Sequence, residues 1–217
     1  MPPKSNANYG WILNMVSKLS DNGVAGFILA NGALSGGGEE YKIRRKLIEN
    51  NLVEAILVLP QDMFYTTNIS VTLWILNKNK KAHTRKIGDE IRNYRDREKE
   101  ILFMDLRQMG IPFEKKYIQF SEEDISKITG TYHQWQTQEI ENIPEFCYSA
   151  TLEEVKKKDF SLVSSKYIEF VNRDENIDFD EKMKTLQTEF AYLLKAETAS
   201  KNDLLTVFNE LGYEIKL

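Results

Sequence analysis

Histidine and cysteine are nearly missing from this 217-residue chain, which has two of the first and one of the second. With only His83 and His133, a multi-histidine metal site is excluded, and no cysteine or histidine spacing matches a zinc site. The single cysteine, Cys147, forbids an intrachain disulfide and fits a reducing, cytoplasmic compartment. No apolar run of about 18 residues occurs, and the opening MPPKSNANYG lacks the apolar segment of a secretion signal. Neither a membrane span nor export is expected. The formal net charge is -4, so the totals do not mark a strongly basic nucleic-acid binder, although a local basic face stays open. An apolar content of 41% is enough for one sizeable core plus an appendage.

What is present is organised around NLVEAILVLPQDMFYTTNISVTLWILN, residues 51–77. Leu52 to Leu59 is a near-continuous apolar run, as in a strand covered on both faces, and Ile69 to Leu76 is a second such run. Pro60 stops the first because it has no N–H to give a ladder. Between the runs, Phe64-Tyr65-Thr66-Thr67-Asn68 joins aromatic faces to hydrogen-bonding groups, which suits a flat polar ligand such as a base. The competing reading is that Phe64 or Tyr65 plugs the core. Both stay open on the residues alone.

Ahead of this pair, Trp11, Ile12, Met15, Val16 and Leu19 fall at helical spacing, and Gly23 ends that helix. Val24 to Ala30 reads as a buried strand and Asn31 to Gly38 as a loop. Glu39 to Asn50 reads as a helix with Lys42, Arg44, Arg45 and Lys46 on its outer faces. The alternation argues for an α/β sheet, mostly parallel, ending in an antiparallel hairpin because the loop is too short for a crossover. Few strands are available, so part of the sheet is expected from elsewhere. Ile101 to Met104 is a further strand, expected beside Leu73–Leu76.

The charged stretch from Lys78 to Glu100 reads as a solvated hairpin tip; a sharper reading lays Lys78, Lys80 and Lys81, with Arg85 and Lys86, on DNA phosphates. Ser121 with Asp124 caps a helix buried through Ile125, Ile128, Tyr132 and Trp135. From Asp180 to Leu211, Met183, Leu186, Phe190 and Leu193 follow a 3-4-3 spacing that Leu204, Val207 and Leu211 resume. This reads as two helices or one notched helix, offering a seam to a partner or to its own domain.

The glycines of FILANGALSGGGEEYK do not make a phosphate loop. Glu39 and Glu40 occupy the first helical turn, no Lys-Ser or Lys-Thr comes after them, and the spacing is not G-x-G-x-x-G. His133 reads as a surface residue, and no carboxylate stands in the isolated apolar context that marks a raised pKa. No catalytic residue is inferable.

Taken together, the helix-strand-Gly loop segment with its I-R-x-x-L helix, the LPQDMFYTTNI loop between strands ending in lysines, and ILFMDLR resemble the modification (methyltransferase) subunit of type I restriction-modification systems. The tail around FSLVSSKYIEF is compatible with it. The resemblance implies a partial Rossmann-like α/β methyltransferase sheet in residues 1–120 and a helical C-terminal extension in residues 121–217. It implies S-adenosylmethionine-dependent methylation of the adenine amino group in DNA, with Phe64, Tyr65 and Thr67 toward the target adenine. It further implies DNA, a specificity subunit and a restriction subunit as partners. The family's glycine-bearing cofactor motif and its Asn-Pro-Pro-Phe/Tyr tetrapeptide do not occur here, and Pro2-Pro3 stands only just before the matching stretch. The expectation is therefore a C-terminal portion that holds no cofactor and is inactive alone. An alternative is a non-catalytic module docking the specificity subunit; a third reading is a nucleotide-binding enzyme using Gly36–Gly38.

Overall fold

The computed structural model describes residues 6–171 and 178–213. They divide between two compact units, Met1–Val171 and Asn172–Leu217. The first unit opens with helix α1 (Asn8–Lys18), strand β1 (Val24–Ala30), a single 3-10 turn (Asn31–Leu34) and helix α2 (Gly38–Glu49). Strands β2 (Val53–Val58) and β3 (Val71–Asn77) flank the Pro60 loop. A ribbon of β4 (His83–Ile87) and β5 (Glu90–Tyr94) leads to β6 (Glu100–Asp105). A second ribbon, β7 (Ile111–Phe113) and β8 (Tyr117–Gln119), precedes α3 (Glu122–Thr137), β9 (Cys147–Thr151) and α4 (Leu152–Lys157).

Five strands form one sheet in the order β1-β3-β2-β6-β9. The class is α/β and the β2–β3 pair is antiparallel, as expected. The degree of parallel pairing differs from the reading of the sequence. β3 runs against both β1 and β2, and β9 runs against β6, so β2–β6 is the one parallel ladder of this sheet. β1, β2 and β6 nevertheless share a direction, because β3 is inserted between the first two. β6 does not lie beside Leu73–Leu76 as expected, since β1 and β2 already occupy both edges of β3. The expected division between residues 120 and 121 falls inside the first unit, because β9 extends the sheet and α3 covers it.

Both faces of the central strands are covered. Ile56, Trp74, Leu76, Ile101 and Phe103 face a core completed by Tyr9 and Ile12 of α1, Ile43 and Leu47 of α2, and Leu162 and Tyr167. Ala55, Leu57, Leu102 and Met104 face a second core under Trp135 of α3. This alternation, with apolar residues on both faces, is why the Leu52–Leu59 run carries so little polar sequence. β1 is different. It is an edge strand with alternate residues open, Val24 at 50% and Ile28 at 46% exposure, rather than a buried strand. On α1 the buried side is Tyr9 and Ile12, with Val16 against it; Trp11 points outward at 64% exposure. A one-residue rotation of the face separates this from the expected stripe. On α3 the capping box of Ser121 and Asp124 forms as expected, while Ile125 stays 44% exposed and Trp135 is fully buried.

A buried charge corrects the reading of the sequence. Arg44 does not decorate α2; it is 2% exposed, and its guanidinium donates to the Phe160 carbonyl at 2.9 Å and the Gly36 carbonyl at 2.8 Å. Glu54 is fully buried but not isolated. It sits at a register shift between Val53 and Ala55, where it meets Arg97 Nε at 3.4 Å and accepts from Gln136 Nε2 at 3.1 Å. Among its described residues the second unit contains one helix, α5 (Phe179–Glu210), N-capped by Asp178 and unbroken through Glu197 and Ser200. None of its described side chains is buried.

Candidate functional site

Because β1, β2 and β6 run the same way, their carboxyl ends lie at one end of the sheet. That end carries the Asn31–Gly38 loop, the Pro60–Asn68 loop and the Asp105–Gly110 turn. Ligands of open α/β sheets bind outside the carboxyl ends of such strands.

The Pro60–Asn68 loop is held by local hydrogen bonds. Leu59 N–H donates to the Val71 carbonyl at 2.8 Å and the Ser70 hydroxyl to the Leu59 carbonyl at 2.6 Å. Asp62 takes a left-handed conformation, φ 59°. Phe64 and Thr67 form an isolated antiparallel bridge, and the Thr67 hydroxyl accepts from Ile69 N–H at 3.4 Å. The bridge separates the two aromatic side chains. Phe64 and Met63 pack against the α3-side core, whereas Tyr65, at the tip, is 70% exposed. The core-plug reading is met by Phe64 alone: Phe64 anchors the loop, and Tyr65 is open to solvent.

A pocket of about 270 Å³ opens here, lined by Phe64, Tyr65, Thr67, Asn68, Lys116 and Tyr117, with Asp62 and Thr66 also at its border. Lys116 and Tyr117 were not anticipated from the sequence. Their signal was present, since IPFEKKYIQF places two short alternating runs around a charged turn, but neither run is long enough to stand out. Tyr117 meets Tyr65 edge to face, ring centroids 4.8 Å apart at 77°. Lys116 Nζ lies 5.0 Å from the Tyr117 ring centre.

Two neighbouring groups are already engaged. Asp105, at the tip of β6, is 5% exposed and held in a fork by Arg107 at 2.9 and 2.6 Å. That carboxylate is committed to a cation. The glycine loop after β1 is crowded at one point: Ala33 and Leu34 are buried, the Gly36 carbonyl accepts from Arg44, and the Glu40 carboxylate lies against Gly36, where a Cβ would strike it, while Gly37 and Gly38 face open space.

The three expected DNA-contacting lysines lie at the other end of the sheet. β3 spans seven residues, about 20 Å, and they come after its far terminus. Lys80 is 2% exposed, with its ammonium donating to the Val53 carbonyl at 2.9 Å and the Glu100 carbonyl at 2.5 Å. Burial pushes its pKa down to about 8. It cannot reach a phosphate. The Lys78 ammonium is bound to the Leu19 carbonyl at 2.7 Å, and Lys81 is exposed. The next segment forms the open β4–β5 ribbon, as the hairpin reading expected. The thiol of Cys147 is free and buried, and burial raises its pKa. His133 is exposed.

Comparison with known proteins shows the family. The N-6 DNA Methylase family model matches residues 1–176. The HindI methylase subunit of a type I restriction enzyme from Haemophilus influenzae is 37% identical across 98% of this chain, which covers 45% of that protein. The MjaIX methylase subunit from Methanocaldococcus jannaschii is 32% identical across 98% of this chain, which covers 36% of it. The chain thus spans less than half the length of these curated relatives. The crystal structure of a type I restriction-modification methyltransferase subunit from Streptococcus thermophilus superposes with a TM-score of 0.65 at 26% identity, over 77% of this chain and 31% of that one. The EcoKI M protein shares the fold, with a TM-score of 0.58 at 15% identity, over 88% of this chain and 44% of that one. By its sequence match and its fold, this chain belongs to the N-6 DNA methylase family.

Proposed function

We propose that this chain supplies the base-facing part of a type I restriction-modification DNA methyltransferase acting on the amino group of adenine. The observation that carries the reading is the division of labour in the Pro60–Asn68 loop. Phe64 is anchored in the core, and Tyr65 is held open beside Thr67 and Asn68 at the carboxyl end of the parallel strands. A base taken out of the duplex is read by stacking and by hydrogen bonds to its edge, and the loop offers both. Phe64 and Thr67 act here by fixing the loop; Tyr65 is the group that touches the base.

S-adenosylmethionine is the methyl donor the family implies. On this reading the donor is held by other polypeptide, since Glu40 lies against Gly36 and Asp105 is paired to Arg107. On this reading the 217-residue chain alone neither binds the donor nor methylates DNA. The free edge of β1, with Val24 and Ile28 open, suits a further strand contributed by other polypeptide. The test is calorimetric titration of the chain with S-adenosylmethionine, then methyl transfer to adenine-containing DNA after supplying the upstream part of a type I methylase subunit. Micromolar donor binding by the chain alone, or no activity after complementation, overturns the reading.

A second reading is favoured by one specific observation. Helix α5 buries none of its described side chains yet carries Met183, Leu186, Phe190 and Leu193 along one stripe, at 39–63% exposure. Such a stripe suits a partner helix, and we assign it to docking of the specificity subunit, with the restriction subunit joining that complex. Co-purification with a cognate specificity subunit, lost on deleting residues 178–217, supports it; retention after deletion refutes it.

A further inference from the structure

The β7–β8 ribbon belongs to the pocket, although nothing in the sequence motifs points to it. Three fixings set its position. Ile118 N–H donates to the Asp62 carbonyl at 3.0 Å, which ties the ribbon to the Tyr65 loop. Gly110, at its base, has φ +101°, and a Cβ there would meet Ile118 Cγ2 at 2.5 Å. Asp124 is held below its ordinary pKa, chiefly by hydrogen bonds from Ser121, with a smaller lowering contribution from the Gly110 backbone. The Gly110 backbone at the base of the ribbon therefore lies near the carboxylate that caps α3. A ribbon of three residues per strand has no core of its own, so these ties define where its tip sits.

That tip presents Lys116 and Tyr117. The Tyr65 and Tyr117 rings stand nearly perpendicular, 4.8 Å between centroids, and form a corner open to solvent. Tyr65 contributes little to the fold at 70% exposure. A flat ring entering the corner stacks on one tyrosine and meets the other at its side, which is the geometry aromatic groups favour. Lys116 is exposed and forms no ion pair among the described residues; its ammonium is steadied against Tyr117 at 5.0 Å. A cation beside a stacking corner matches a nucleotide in a strand, whose base and phosphate lie side by side. Asp62, which borders the same pocket, opposes an anion on its own side and leaves the Lys116 side for the phosphate.

Resting on the base-facing reading of the Tyr65 loop, we propose that the β7–β8 ribbon is the second wall of the site: Tyr117 closes the stacking corner with Tyr65, and Lys116 holds the phosphate beside the extruded adenine. The ribbon thereby sets how the nucleotide is seated, and the Tyr65 loop alone does not.

The probe is a short single-stranded oligonucleotide carrying 2-aminopurine, titrated at low salt against the chain, with an abasic oligonucleotide in parallel. Tyr117→Ala is expected to weaken binding of the aminopurine strand by about five- to 150-fold, the range for losing one stacked base. It leaves the abasic strand unaffected, and Tyr117→Phe is expected to retain binding. Lys116→Ala is expected to weaken both strands equally and to flatten the salt dependence by about 0.7 in log–log slope, one phosphate contact. If Tyr65→Ala weakens the aminopurine strand but neither Tyr117→Ala nor Lys116→Ala changes anything, the ribbon proposal is overturned and the base-facing reading stands. If Tyr65→Ala is also silent, or the unaltered chain binds neither strand, both fall. Because Lys116 is exposed and Tyr117→Phe keeps the ring, misfolding does not mimic these results.

Discussion

Replacing Arg97 with methionine tests how the far end of the sheet is held. Arg97 and Glu54 have fully buried side chains, 3.4 Å apart, and Glu54 Oε2 has no hydrogen-bond partner. Without Arg97, the carboxylate loses its paired cation and keeps the Gln136 amide at 3.1 Å and the attraction of the buried Lys80 ammonium. Removing one member of a buried ion pair costs about 3–5 kcal/mol, a large share of a typical domain stability of about 5–15 kcal/mol. Removing both charges is different, because the desolvation of each disappears with it. Glu54→Met combined with Arg97→Met is therefore expected to be more stable than either single variant, with a coupling of about 2 kcal/mol or more. Arg97 also donates to the Arg95 carbonyl at 2.7 Å and the Gln136 carbonyl at 3.2 Å. Those losses occur in the single Arg97 variant and the double variant alike, so they cancel in the cycle. Urea unfolding of the four proteins at neutral pH, monitored by tryptophan fluorescence, gives the numbers. Additive single effects, each below about 1 kcal/mol, refute the claim that these charges hold each other.

Other outcomes rest on the same structure. Lys80 has a folded pKa of about 8, below the ordinary 10.5, so between those values the unfolded chain holds more protons and stability rises with pH, by at most about 1.4 kcal/mol per unit. Urea midpoints from pH 8 to 9.5 show this rise, and Lys80→Met abolishes it; an unchanged profile refutes the burial of that ammonium. Tyr65→Ala, at an exposed tip, changes unfolding free energy by less than about 0.5 kcal/mol, whereas Phe64→Ala costs about 1–3 kcal/mol as a half-buried relative of full core deletions. Equal costs contradict the split between anchor and presented ring. Gly110→Ala combines a positive φ with a clash against Ile118 and is expected to cost more than about 1 kcal/mol in the same assay, because the Cβ cannot be accommodated without moving the ribbon.

The elements legible in the sequence were those with strong local signals. The β2–loop–β3 pair announces itself by a long apolar run broken at Pro60, and the Ser121 cap by its Asp124 partner. What stayed hidden depended on long-range pairing. The antiparallel insertion of β3 between β1 and β2 cannot be read from periodicity, since each strand looks the same whichever neighbour it takes. Lys80 and Arg97 lie in a stretch that is polar on average, and their burial depends on partners about 20–43 residues away in sequence: the Val53 and Glu100 carbonyls for Lys80 and the Glu54 carboxylate for Arg97. At the site, Phe64 and Tyr65 were found from residue type alone, but their opposite fates are set by a two-residue bridge. Tyr117 was missed because contact with Tyr65 spans 52 residues of sequence and its own strand has three.

The most direct measurement is single-turnover methyl transfer to adenine in duplex DNA by a complemented type I methylase carrying this segment, with and without Tyr65→Ala, and with thermal unfolding of each protein recorded alongside. A loss of activity of about tenfold or more at an unchanged melting temperature is expected, as one stacking contact is worth about 1–3 kcal/mol. Full activity in the variant, or a loss that merely tracks a lowered melting temperature, contradicts the placement of Tyr65 against the target base.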